Sequence, residues 1–172
     1  MTDGTSQTIA FGEWISSDQS AATARKPGYG INNVPDSSPT ARMDDARMNP
    51  TAVLQALGNC ATAWNSTSGT FNSEKGSMWA MGQEGYSMMN FIQVPNDSIA
   101  PFGFCSLNGT ESAGGGPDDA AFAGPSSFHP GGCNTLFCDG SVRFIKSAVN
   151  RTGVWWGLAT RSGGEVLSAD QY

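Results

Sequence analysis

His129 is the only histidine of the chain, and it opens "HPGGCNTLFCDGSVRF", residues 129–144. A neutral imidazole can ligate a metal, act as a general base or hydrogen-bond a loop. Nucleophilic catalysis would need a partnered Ser or Cys and an orienting acid. Ser126, Ser127 and Cys133 lie close in sequence, but there is no G-x-S-x-G elbow. Asp139 is the second reactive group. Together with Asp3 or backbone carbonyls it could take a hard cation, and Ca²⁺ suits oxygen-rich Asp/Gly turns. The EF-hand pattern D-x-[DN]-x-[DN]-G is absent. Asp139-Gly140 is also a strong hairpin turn pair, which accounts for the acid without any ligand. The expectation is that His129 and Asp139 shape a turn. No catalytic residue and no cofactor is assigned; Asp3, His129 and Asp139 are the metal candidates, with Ca²⁺ the ion they would suit.

Other constellations carry less. The paired acids in "MDDA" (43–46) and "PDDA" (117–120) sit in polar loops and read as solvated. Glycoside hydrolysis does use two carboxylates, but held across a substrate. "GGGP" (114–117) lacks the G-K-[ST] tail of a phosphate loop. Trp79 and Trp156 are the aromatic residues that, if exposed, could form a ligand or partner surface.

The four cysteines are Cys60, Cys105, Cys133 and Cys138. Four buried thiols in a reducing compartment are one possibility. A Gly-rich, loop-heavy domain gains more from a disulfide. The Cys133–Cys138 gap is too wide for a zinc knuckle, with one His available as a further ligand. In an extended strand those two cysteines would point to opposite faces, about 16 Å apart. A disulfide needs Cα atoms within about 7 Å. Cys60–Cys105 is then the simplest bridge.

The elements that must position these groups can be read in outline. "TDGTS" is a turn leading into a strand within residues 5–15. Residues 16–48 read as a long surface loop with a short strand near "YGINNV". "MNPTAVLQALGNCATAWN" reads as a helix, with Asn49 as N-cap and Pro50 at the first helical position. Val53, Leu54, Leu57, Ala61 and Trp64 make one apolar face, and Cys60 lies beside it. Residues 66–76 read as loop, and "MWAMGQEGYSMMNFIQV" as one strand or two short ones. Residues 133–146 form a hairpin. With Asp139 and Gly140 as a two-residue turn, Phe137 faces Val142 and Thr135 faces Phe144. Phe137, Val142 and Phe144 then share the core face. A second short helix falls within about 151–161, capped by Asn150, with Val154, Trp155, Leu158 and Ala159 inward. "EVLS" reads as a closing strand.

Composition sets limits on function. Length suits one domain, residues 1–172, and the 22 glycines with only 14% charged residues point to a loop-rich α+β fold. The net charge of −6 and the lack of a basic stripe exclude a nucleic-acid surface. No apolar run is long enough to span a membrane, so no membrane contact is expected from these residues. Met1 leads straight into "TDGTSQT", so the chain is either cytoplasmic or begins downstream of a targeting segment.

Four motifs carry a resemblance. His129, nine residues, then Asp139-Gly140 resembles the H-x9-D-G box of a large bacterial family of prepilin-like proteins of unknown function, also labelled solute-binding. "TDGTSQTIAFGE" (2–13) is similar to its D-G-T-S-x-T-I-x-x-G-E segment. "NTLFCDGSVRFI" and "LATRSGGEVLSADQY" resemble its D-G-S-V-R-F box and tail. The spacing of Cys60 and Cys105, around "WAMGQEGYSMMNFIQVPNDS", is also similar. The resemblance implies a β-rich, pilin-like head without the anchoring helix and cleavage site of full-length members. Asp3, Gly4, His129, Asp139 and Gly140 are the family positions it carries over. It implies an exported, extracellular or cell-envelope protein whose partners are other proteins in a filament or envelope assembly. Two further functions are weighed against this one. One is a solute- or glycan-binding module using loops 16–48 and 108–128 with surface Trp. The other is a metal-dependent enzyme around His129 and Asp139.

Overall fold

The computed structural model describes residues 2–35, 46–66, 70–108 and 120–172. The acids of "PDDA" up to Asp119, Asp44 and Asp45 of "MDDA", and "GGGP" lie outside these residues. The order of elements is β1 (Ile9–Gly12), β2 (Gly30–Pro35), α1 (Pro50–Asn65), β3 (Thr70–Asn72), β4 (Cys105–Asn108), β5 (Ala120–Phe122), β6 (Gly132–Phe137) and β7 (Val142–Lys146). A π turn at Arg151–Trp155 runs into a last short helix, α2 (Trp156–Leu158). The strands make two sheets, an antiparallel one ordered β1-β6-β7 and a mixed one ordered β3-β2-β4-β5. The α+β class read from the sequence holds, and β2–β4 is a parallel pair inside it.

Helix α1 starts at Pro50, whose missing N–H is an orphan donor at that position in any helix. Asn49 makes no side-chain cap bond. Val53, Leu57, Cys60 and Trp64 are buried, whereas Leu54 is 39% exposed and falls off the apolar stripe. The helix packs on β2, and the Cys60–Cys105 disulfide ties it to β4, with a Cα–Cα distance of 6.1 Å. Trp64 meets Phe71 edge-on, with ring centroids 5.3 Å apart, and so closes the mixed sheet's end of the core. Cys133 and Cys138 are not bonded to each other.

Four expectations are corrected. Residues 77–94 form turns, with one isolated bridge, Glu84–Met88, in place of strands. The polar stretch 66–76 contains β3, which pairs with β2. "EVLS" is not a strand, and Ala159 is exposed. In the first case glycines and i→i+3 turn bonds outcompete a hydrophobic run that has no neighbouring strand to pair with.

The hairpin is also one residue out of the expected register. Leu136 pairs with Val142, Asn134 with Phe144 and Cys133 with Ile145. The turn has three residues, 138–140, because Asp139 captures Ser141: its Oδ1 accepts the Ser141 N–H at 2.9 Å and hydroxyl at 2.7 Å. Ser141 then pairs with Phe137, and Gly140 closes the turn at φ +86°, where a β-carbon would be strained. Cys138 instead donates to Thr8 O of the β1 side at 2.8 Å. A one-residue slip turns every side chain over. Arg143 and Ile145 therefore face inward, and Val142 and Phe144 face out. Phe137 stays buried, stacked on Tyr172 and covered by the Arg143 guanidinium at 4.5 Å.

Candidate functional site

His129 sits just before β6, and its side chain is 61% exposed. Its Nε2 lies 3.8 Å from Glu13 Oε1, and its ring meets Phe144 edge-on at 6.3 Å. Glu13 follows β1, so this contact joins two of the segments that carry the resemblance, residues 2–13 and residues 129–140. Glu13 Oε2 accepts from Asn134 Nδ2 at 2.9 Å, and its backbone pairs with Asn134 and Ser126. Burial alone would raise the Glu13 carboxyl, but hydrogen bonds from Ser127 and Asn134 and the nearby His129 outweigh it and hold the group below its usual range. Glu13 Oε1 is buried with no hydrogen bond of its own.

The loop that carries His129 is held from behind by Asn96. Its Oδ1 accepts from Ser127 N at 2.7 Å, and its Nδ2 donates to His129 O at 3.1 Å and Gly132 O at 3.0 Å. Beside it, Asp97 accepts the Ile99 and Ala100 amides and pairs with Arg151 at 2.7 Å. Gln93 bonds the carbonyls of Ala100 and Phe102 and the amide of Gly124. Its carbonyl takes the Trp155 indole N–H at 2.7 Å. Residues 93–97 thus tie together four separate stretches of chain.

This constellation lacks the connections of a nucleophilic triad. Ser127 serves Glu13 and accepts the His129 amide at 2.8 Å, and Ser126 Oγ accepts the Ile15 amide. Neither hydroxyl is spent on the imidazole. Asp139 is at the far end of β6 from His129, about 20 Å away at the usual rise per residue. It bonds Ser141 foremost, which lowers its carboxyl, and faces Arg143 at 3.9 Å. Asp3 belongs to a third network. It accepts from Gly164 N, Gly163 N and Thr160 Oγ1 at 2.9, 2.7 and 3.2 Å, which together hold its carboxyl low. Gly4 beside it turns the chain at φ +87°. The metal candidates Asp3, His129 and Asp139 are therefore in separate networks. Among the described residues no three His, Cys, Asp or Glu side chains converge on a point.

Of the two tryptophans, Trp79 is 85% exposed on the 77–88 loop, whereas Trp156 is buried and donates to Ile92 O at 3.2 Å. Trp156 cannot be a surface platform: the π turn rotates it into the core. Glu13, Asn96 and Gln93 are the site residues that the sequence reading did not single out.

Among the described residues, the outer face of sheet β1-β6-β7 carries a row of exposed apolar side chains. Phe11, Leu136 and Val142 are direct cross-strand neighbours, and Phe144 lies in the next row opposite Asn134. Phe11 is 70% exposed and Val142 64%. Phe128 stands exposed at the same end as His129. A separate cleft of about 390 Å³ lies between residues 25–28, 96–103 and 125–126, with Trp64 and Phe102 in its wall.

No helix among the described residues is long and apolar enough to cross a membrane. No curated protein and no solved structure matches the chain. A family model does match, over residues 1–152, covering both the 2–13 segment and the His129–Gly140 box whose residues meet in this site. The chain belongs to that family, described as a protein of unknown function (DUF1559) and labelled SBP_bac_10.

Proposed function

We propose that the chain is a non-catalytic interaction head of a type IV pilin-like or type II secretion pseudopilin-like protein, exported to the cell envelope or beyond. The outer face of β1-β6-β7 is its docking surface for a neighbouring pilin-class subunit. The observation that carries this reading is the apolar row Phe11–Leu136–Val142, with Phe144 beside it, on a sheet face that no other described element covers. Exposed contiguous apolar area of this kind marks interaction surfaces. A face rimmed by His129, Asn134 and Lys146 is polar at its edge, as interfaces are. The bridge between Cys60 and Cys105 supports an oxidising compartment. The H-x9-D-G box supports the pilin-like class, and its residues act as struts: Asp139 sets the register that turns Val142 and Phe144 outward.

The test is a Phe11→Ser, Val142→Ser double variant, expressed in the source cells and followed into the assembled envelope fraction. Both positions are exposed, so the melting temperature stays within a few degrees of the parent. The variant is expected to disappear from the assembled fraction; undiminished assembly would count against this face. A solute- or glycan-binding module is the second reading, favoured by the 390 Å³ cleft, which draws on the 16–48 and 108–128 loops. Glycan-array binding that survives the double variant would support it instead.

A further inference from the structure

The loop at 77–88 exposes three thioethers and one indole. Met78 is 48% exposed, Met81 40%, Met88 52% and Trp79 85%. The loop is nevertheless firmly built. The Met81 amide bonds Met78 O at 3.1 Å, so these two stand one turn apart. The Ser87 hydroxyl bonds Met81 O, which brings the next residue, Met88, alongside. Gln83 O collects the amides of Tyr86, Ser87 and Met88, and Gly85 returns a bond to Met88 O at 2.9 Å. Gly76 N to Gly85 O, also 2.9 Å, and buried Tyr86 fix the loop to the domain. An ordinary exposed turn would carry polar residues here. This one carries methionine at three places along a single short loop held by these bonds.

We infer that Met78, Met81 and Met88 form a binding site for a soft monovalent metal ion, Cu(I), with the Trp79 ring covering the open side of the ion. Thioether sulfur selects Cu(I) over the hard cations and over Zn²⁺. The tryptophan face is the strongest of the aromatic cation–π partners. Methionine keeps its ligand character where cysteines pair off, and in this chain Cys60 and Cys105 are already joined. The site is independent of the docking face and of the His129 contact.

The experiment adds Cu(I) to the full chain under ascorbate, with a chromogenic Cu(I) chelator in competition. Parallel NMR of methyl-labelled methionine uses Ag(I), which has the same charge and softness without redox chemistry. The expected result is one equivalent bound. The methyl signals of Met78, Met81 and Met88 shift together, while those of Met48 and half-buried Met89 stay in place. Emission from Trp79 is quenched. The Met78→Leu, Met81→Leu, Met88→Leu variant keeps the apolar surface and weakens binding by roughly tenfold or more. If that variant unfolds, Met78→Leu alone gives the same direction. Binding as tight in the triple variant as in the parent would overturn the site, because the ion would then sit on a thiol such as Cys138. Unmoved methyl signals would overturn it too, leaving the loop as a protein-binding patch only.

Discussion

Removing the Cys60–Cys105 bridge lowers the unfolding free energy by about 4 kcal/mol, the loop-closure value for cysteines this far apart in sequence. The two are separated by 45 residues, and both are completely buried. Without the bridge, the unfolded chain regains the freedom of that whole segment, while α1 loses its only covalent tie to β4. A domain of this size has total stability on the order of 10 kcal/mol, so the loss is a large fraction of it. Guanidinium titration of the Cys60→Ala, Cys105→Ala variant, or of the parent under reductant, reads the effect as a shift in midpoint. A change below about 1 kcal/mol would mean that packing of Trp64 against Phe71 and Phe102 holds the helix unaided. Non-reducing peptide mapping supplies an independent check: a Cys133–Cys138 peptide would be incompatible with the observed hairpin.

Lys75 gives the second large effect. Its side chain is fully buried, with Nζ 3.3 Å from Gly124 O and 4.5 Å above the Trp14 ring. Burial pushes its pKa down to about 7. The unfolded chain holds this proton up to the ordinary lysine value near 10.5. Between those two values the unfolded state binds more protons than the folded one, so stability rises with pH across that window. Conversely, stability is lost as pH falls from about 10 to about 7, and below 7 the penalty is constant. At about 1.4 kcal/mol per pH unit, the shift from 10.5 to about 7 makes the contribution of this one group on the order of 5 kcal/mol. Lys75→Met keeps the stem and removes the charge. Urea denaturation from pH 7 to pH 10 should find the variant more stable at pH 7, with its advantage shrinking toward pH 10. Parallel curves for the two proteins would show that the amine reaches solvent or an unrecognised anion.

Local chemistry made part of this fold legible. Pro50 after Asn49, followed by apolar residues at three- and four-residue spacing, reads as α1 because helix formation there depends on its own sequence. Asp139-Gly140 locates the hairpin for the same reason. Its register was not legible, because a two-residue and a three-residue turn differ by the capture of Ser141 and by the pull of Thr8 O on Cys138. The second of these comes from the residue just before β1, about 130 residues earlier in the chain. The parallel pairing of β2 with β4 and the small β3 depend on contacts between distant segments that no periodicity announces. At the site, His129 stood out by being the only residue of its type. Glu13 closes the 2–13 motif, but nothing in the sequence links it to His129 until folding puts it 3.8 Å from the imidazole. Asn96 reads as an ordinary turn residue, and only its three bonds to the 127–132 loop reveal its role.

The central claim is that the outward face of β1-β6-β7 meets another protein subunit. Photo-crosslinking from a benzoyl-phenylalanine at position 142, in the source cells, tests it most directly, with position 74 as a control on another part of the surface. The claim predicts covalent products between position 142 and pilin-class or secretion-apparatus subunits, and none from position 74. Products of equal yield from both positions, or none from position 142 while the protein is folded and exported, would contradict it.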